Sequence, residues 1–402
     1  MLSTTLGRAV ACLIALTSIA VVIGMVLLWP GAGQRAGDPR MGGSERAEVV
    51  EITRGSCESY AGPRCRLVEF ELRSGPRTGE RSYLPLPDDD FGPQLEAGDD
   101  IRVARNVPPD LDPALADELP LDDPSAQPFA FVDFQRGSSL AYLTLAFVAL
   151  VIALGRWQGV RSLVGLGVSL LVVLGFIVPA ILAGRSPLLV AVIGGMAVMV
   201  ATMTVTHGFG LKSAAAILGT TGALLLTALL GAGAVEAAHI TGLASEESRL
   251  LSASATSTLS LRGLVIAGII IGALGVLDDV TISQSSTVLA LKRANPSFGF
   301  RSLFGEGLQV GRDHLGATIN TLVLAYVGAA LPVLLFFGND GTSLAEAVNQ
   351  ESVAEEIVAT LVGSTGLVAA VPLTTALAAL LVTRLPREAL ADEDAHVHVH
   401  VH

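Results

Sequence analysis

"GLVIAGIIIGALGVLDDVTISQSSTVLALKR", residues 263–293, decides the fold. Its first fifteen residues, Gly263 to Leu277, are uncharged. At about 1.5 Å per residue that length is too short to cross a hydrocarbon core of ~30 Å. Either the helix carries Asp278 and Asp279 into the membrane, or it begins earlier, in the Ser/Thr-rich piece before it. It continues through "STVLAL" to Lys292 and Arg293. A carboxylate at membrane depth is costly unless it is paired or faces water, so such a residue marks function by default.

The rest of the chain supports a membrane setting. Its 402 residues have a mean hydropathy of +0.61 and only 15% are charged. That composition fits a polytopic membrane protein and excludes an ordinary soluble domain. Apolar runs predict spans at 9–29, 139–155, 162–182, 187–206, 212–233, 261–282, 315–337 and 358–383, about eight in all. Arg8 precedes the first run, which reads as an uncleaved anchor over 1–29.

Residues 30–137 differ in kind. "AEVVEIT", "CRLVEFELRSG", "RSYLPLP" and "DDIRVARN" alternate apolar and polar residues between Gly and Pro clusters, which is strand-and-turn patterning. A small barrel or sandwich, of oligonucleotide-binding-like or SH3-like type, is expected, followed by a Pro/Asp-rich linker over 106–128. From Ala32 to Gly137 there are 21 acids and 12 Arg, a net of −9. That balance argues against nucleic acid as a partner. The expected fold is therefore an all-α membrane bundle with a small extracytoplasmic β-rich domain after the first helix. The membrane domain occupies 138–384 and a His-rich cytoplasmic tail occupies 385–402.

Charge asymmetry sets the expected orientation. A cytoplasmic N-terminus puts Arg156, Arg161, Lys212, Lys292, Arg293, Arg301, Arg312, Arg384 and Arg387 inside. The opposite loops then hold Arg185, Arg249 and Arg262 among a majority of acids. Residues 30–137 lie outside, where Cys57 and Cys65 become a disulfide candidate closing "CESYAGPRC". Cys12, in the first apolar run, reads as packing. The tail repeats His at 396, 398, 400 and 402. Such tracts can bind divalent metal, but the repeat reads first as a disordered low-complexity end, and no metal or other cofactor is expected.

Helical spacing orders the candidate site. Asp279, Ser283 and Ser286 fall at i, i+4 and i+7 on one face, and Asp278 and Ser285 are seven apart on the neighbouring face. The next span opens with "GRDHLGATINTLVLAY", where Asp313 and Asn320 are also seven apart and Arg312 and His314 flank the acid. Asp279, Ser283, Ser286, Asp313 and Asn320 are the leading ion- or substrate-binding residues. Asp278, Ser285, Arg312 and His314 are secondary. Thr202, Thr204, Thr206 and His207 read as an interfacial cluster, Thr220 and Thr221 as bonding their own helix, and Pro179, Pro332 and Pro372 as helix ends or kinks.

At these residues the sequence resembles the YibE/F family of bacterial membrane proteins. The resemblance rests on "GALGVLDDVTISQSS" (272–286) and "GRDHLGATINTLVLAYVGAALP" (311–332) and extends from about Val49 to Arg384. The family's acid matches Asp279, followed by Ser283, Ser285 and Ser286, whereas Asp278 stands where the family often has an apolar residue. Gly311, Arg312, Asp313, Gly316, Asn320 and Thr321 match the second motif. The resemblance implies a multipass protein of the bacterial plasma membrane and names no reaction.

Two function classes follow. The first is a secondary transporter or permease, with the bilayer and an unidentified small solute or ion as its partners. The second is a membrane scaffold or envelope assembly factor whose outer domain binds a protein. No enzyme activity is expected. Walker A, HExxH and GxGD motifs are absent, and no inverted repeat is visible in the sequence.

Overall fold

The computed structural model describes residues 5–30, 44–55, 65–88, 92–105, 129–208, 210–254, 259–339 and 341–384. The linker at 106–128 and the His-rich tail lie outside the described residues. The chain forms two compact units, one of residues 37–153 and the other of residues 1–36 and 154–402.

The β unit holds β1 (Glu45–Gly55), β2 (Cys65–Leu72), β3 (Arg81–Pro87), β4 (Asp100–Arg105) and β5 (Phe129–Phe134). They form one antiparallel sheet in the order β3-β2-β1-β4-β5. Four of these strands are those the alternation predicts. The fifth, "FAFVDF", is added by the structure: its register against β4 supplies what six residues of pattern cannot. The sheet curls into a half-barrel. Phe70 on β2 and Phe129 on β5, not neighbours in the sheet, meet edge to face at 5.6 Å. A register shift between Val49 and Glu51 on β1 introduces the bend. Val49, Val68, Phe70, Leu72, Ile101 and Val103 fill the interior. Cys65 is disulfide-bonded; Cys57, the other half of the expected pair, lies outside the described residues.

Arg66 is a cation buried at the edge of this core, 5% exposed. Its guanidinium donates to the carbonyls of Pro87 and Pro93 and to Gln94 Oε1, and approaches Asp88 to 3.4 Å. It thereby ties β2 to the turn after β3. Arg66→Ala strands those acceptors and is expected to cost the β unit about 2 kcal/mol. Limited proteolysis of the intact protein should then cut sooner between residues 44 and 134.

Among the described residues the chain contains seven helical elements long and apolar enough to cross a membrane. The helices are α1 (Thr5–Leu28), α2 (Gly137–Val172), α3 (Val178–Leu182), α4 (Pro187–His207), α5 (Leu211–Ala237), α6 (Glu246–Ser254), α7 (Leu261–Ala294), α8 (Phe300–Asn339), α9 (Leu344–Asn349) and α10 (Glu351–Arg384). The expected spans 139–155 and 162–182 belong to one element of 46 residues. That is about 69 Å of helix, more than twice a ~30 Å core. Arg156 interrupts it at φ 49° and ψ −132°, a backbone conformation that breaks a helix. The described residues thus hold seven candidate membrane helices where eight are expected, because these two expected spans are joined.

Proline effects divide. Pro179 follows a π-helical turn, Val173–Ile177, where the ladder loosens before a residue without an N–H. Pro332 and Pro372 instead lie inside α8 and α10, which run through them.

The bundle is centred on α5, α7 and α10. α5 and α10 cross antiparallel through a reciprocal contact. Gly219 of α5 faces Thr374 of α10, and Gly366 of α10 faces Thr227 of α5, with no room for a Cβ at either glycine. Ala223 and Ala370, midway between, are both fully buried. The contact is reciprocal because Gly219 and Thr227 on α5, and Gly366 and Thr374 on α10, are each eight residues apart.

Candidate functional site

α7 runs unbroken for 34 residues, capped where the Ser260 hydroxyl accepts from the Gly263 amide. Ser285 Oγ lies within bonding distance of the Lys212 carbonyl in the first turn of α5. Asp278 is seven residues from Ser285, so about 10 Å further into the bundle from the end where α4 stops and α5 starts. α7 continues beyond that end to Ala294. The helix begins before Gly263 and also extends past the acids, and both aspartates lie within its span.

Packing separates the two acids. Asp278 turns towards α4, where its Oδ2 lies 3.4 Å from Thr202 Oγ1. That hydroxyl has one hydrogen and sits closer to the Val198 carbonyl of its own helix, at 2.9 Å. The other carboxylate oxygen, Oδ1, is buried without a hydrogen-bond partner. Asp279 is exposed. Both line a cavity of about 240 Å3 between α2, α4 and α7. Its walls carry the hydroxyls of Ser162, Thr202 and Thr206 and the imidazole of His207, with Gly275 and Ile282 from α7. Gly165 lets α2 approach α4: a Cβ there would stand 3.1 Å from Thr206 Oγ1.

The other sequence-predicted residues lie elsewhere. Ser283 is exposed. Ser286 Oγ donates to the Ile282 carbonyl of its own helix. Arg312, Asp313, His314 and Asn320 are exposed on α8. Gly311 and Leu322 mark the packed side of that helix. At 100° per residue, Asp313 and Asn320 point about 180° away from it. The structure therefore brings Asp278 and Asp279 together in one cavity and leaves Asp313 and Asn320 outside it. Ser285 is buried, its Oγ 2.9 Å from the Thr281 carbonyl of its own helix and 3.1 Å from the Lys212 carbonyl of α5.

Two polar contacts hold α7 in its rotation. Thr281 Oγ1 and Thr220 Oγ1 share a hydrogen bond of 2.6 Å, so Thr220 reaches across to α7. Thr221 bonds the Ile217 carbonyl of its own helix. Gln284 is buried and donates to the Gly307 carbonyl at 2.5 Å and to Thr375 Oγ1 at 2.8 Å, joining α7 to α8 and α10. Neither Gln284 nor Ser162 stands out in the sequence. The pair Thr202 and Thr206, one turn apart near the end of a span, was the available signal.

The model of the YibE/F-like protein family matches residues 143–384, more than half of the chain. The chain belongs to the YibE/F-like family. No curated protein and no solved structure matches it. In this YibE/F-like protein the matched region contains every residue of the Asp278 cavity.

The chemistry available there is that of two carboxylates and three hydroxyls, with one imidazole on the wall. No described ion pair involves Asp278 or Asp279, and no described group of three or more His, Cys, Asp or Glu could hold a metal ion. A proton, an alkali cation or a small cationic solute suits such a donor set. Gly275 offers a way to fill the cavity, since a Cβ there meets nothing within 4 Å. Gly275→Leu should block the site with little change in thermal stability. A fall in melting temperature comparable to that of a core mutant would show that the niche is packed space.

Proposed function

We propose that this YibE/F-like protein is a secondary transporter or permease whose coupling or binding site is centred on Asp278. The observation that carries the reading is the buried, unpartnered Oδ1 of Asp278 in a polar cavity. An unpaired carboxylate oxygen at membrane depth costs several kcal/mol unless something neutralises it (of order 2.5–3.5 for an acid at a helix centre). A bound proton, cation or cationic headgroup supplies that neutralisation, and its release provides two states for a transport cycle. Asp279, at the cavity's exposed side, is the entry carboxylate. Ser162, Thr202 and Thr206 complete the ligand set.

The basic residues Lys212, Lys292, Arg293 and Arg301 cluster at the end of the bundle nearer this cavity. By the positive-inside rule that end is cytoplasmic, with both termini inside and the β unit outside. In this orientation the site opens to the cytoplasm.

The test is charge displacement in proteoliposomes adsorbed on a solid support and exposed to a panel of cations and small metabolites. Transient currents with wild type that vanish in Gly275→Leu are the expected result. Currents unaffected by filling the cavity would count against the assignment.

A second reading, an envelope scaffold, draws on the β unit, which has a core of its own. It predicts that wild type moves none of the panel, while deletion of residues 30–137 loses a captured protein partner.

A further inference from the structure

A second cavity, of about 410 Å3, lies between α8, α9 and α10. It belongs to the opposite end of the bundle from Asp278. α5 and α10 are antiparallel, and Glu351, the first residue of α10, accepts from the amides of Thr241 and Gly242 just past the end of α5. α9 closes one side. It is held by a capping box in which Ser343 and Glu346 bond each other's backbone amides. Those bonds, first the Ser343 hydroxyl and then its amide, hold the Glu346 carboxyl below its usual range.

The walls are apolar. Of thirteen lining residues only Tyr326, Glu356 and Thr360 are polar, and the Thr360 hydroxyl is spent on the Glu356 carbonyl. Water needs two to four polar partners to occupy such a space, and this lining does not provide them. At about 30 Å3 for a water-sized group, the volume matches roughly 14 such groups, the size of one medium alkyl chain.

One carboxylate lines the cavity: Glu356, which is half-buried. Its neighbour in sequence, Glu355, has its Oε1 buried without a hydrogen-bond partner. Among the described residues neither carboxylate forms an ion pair. An anionic head would meet the Glu356 carboxylate, whereas a cationic head would neutralise it.

We propose that this cavity binds an amphiphile with an alkyl tail and a cationic head, the tail between α8 and α10 and the head against Glu356. The proposal does not depend on Asp278 carrying a solute. Its test uses the full-length protein in zwitterionic nanodiscs. The probes are a dodecyl-trimethylammonium with a diazirine on its tail and a dodecyl sulfate with the same tail. Photolabelling is mapped by mass spectrometry. The cation should label residues 323–361 at least ten-fold more than the sulfate. Glu356→Gln should reduce that labelling at least five-fold, and so should Leu361→Trp, which fills the cavity from a tolerant, 62% exposed position. Equal labelling by the two heads would mean occupation by ordinary lipid tails and overturns the proposal. So does cation labelling that survives both substitutions in protein with an unchanged elution profile.

Discussion

Asp278→Asn is expected to reduce cation- or proton-coupled flux by at least roughly 100-fold, equivalent to about 2.7 kcal/mol. The substitution keeps the shape of the side chain and removes its charge. It also places an amide N–H₂ where a cation would sit, which converts an acceptor into a donor. Asp279→Asn should cost less, roughly ten-fold, because Asp279 is exposed and leaves the buried oxygen in place. Ser286→Ala should be silent, since that hydroxyl already bonds its own helix. The order Asp278, then Asp279, then Ser286 is the signature. The reverse order would favour the exposed serine face as the working surface.

The largest stability effect is expected at the α5–α10 crossing. A Cβ at Gly366 would collide with the Thr227 hydroxyl, and one at Gly219 with Thr374, including its Cα at 3.2 Å. Gly366→Ala therefore forces the two helices apart along the tightest contact of the bundle. Overpacking of this kind costs about 1–3 kcal/mol, and Gly366→Val should exceed Gly366→Ala. The partner provides the control. Thr227 Oγ1 bonds only the Ala223 carbonyl of its own helix, so Thr227→Ala alone should cost little. Combined with Gly366→Ala it should restore most of the lost melting temperature, the coupling expected of residues in contact. Strict additivity of the two substitutions would mean that the glycine is required for another reason.

Much of the architecture is legible in the sequence because hydropathy and alternation are local. Leu261–Ala294 advertises its span by fifteen uncharged residues and its far end by Lys292 and Arg293. β1 to β4 advertise themselves by alternation. β5 does not, because "FAFVDF" is short and its identity as a strand lies in pairing with β4. Arg156 ends an apolar run in the sequence, which places the interruption, but its backbone conformation there is visible only in the structure.

The site divides along the same line. Adjacent acids at 278 and 279 are plain in the sequence, and spacing puts Asp279, Ser283 and Ser286 on one helix face, of which only Asp279 lines the cavity. Which of the two acids is buried depends on how α7 is rotated. That rotation is fixed by Thr281 against Thr220 and by Gln284 against α8 and α10, helices far away in the chain. Spacing also pairs Asp313 with Asn320, but Gly307 and Gly311 pack the other side of α8 against Gln284 and Val371. Periodicity identifies a face, and only tertiary contacts say whether that face looks inward.

The most direct measurement is the transient current from solid-supported proteoliposomes, compared between wild type and Asp278→Asn at equal protein density. The Asp278 site predicts a saturable current with wild type on addition of its cation or solute, and no current above that of empty liposomes with the variant. A current of undiminished amplitude and unchanged saturation in Asp278→Asn would contradict it.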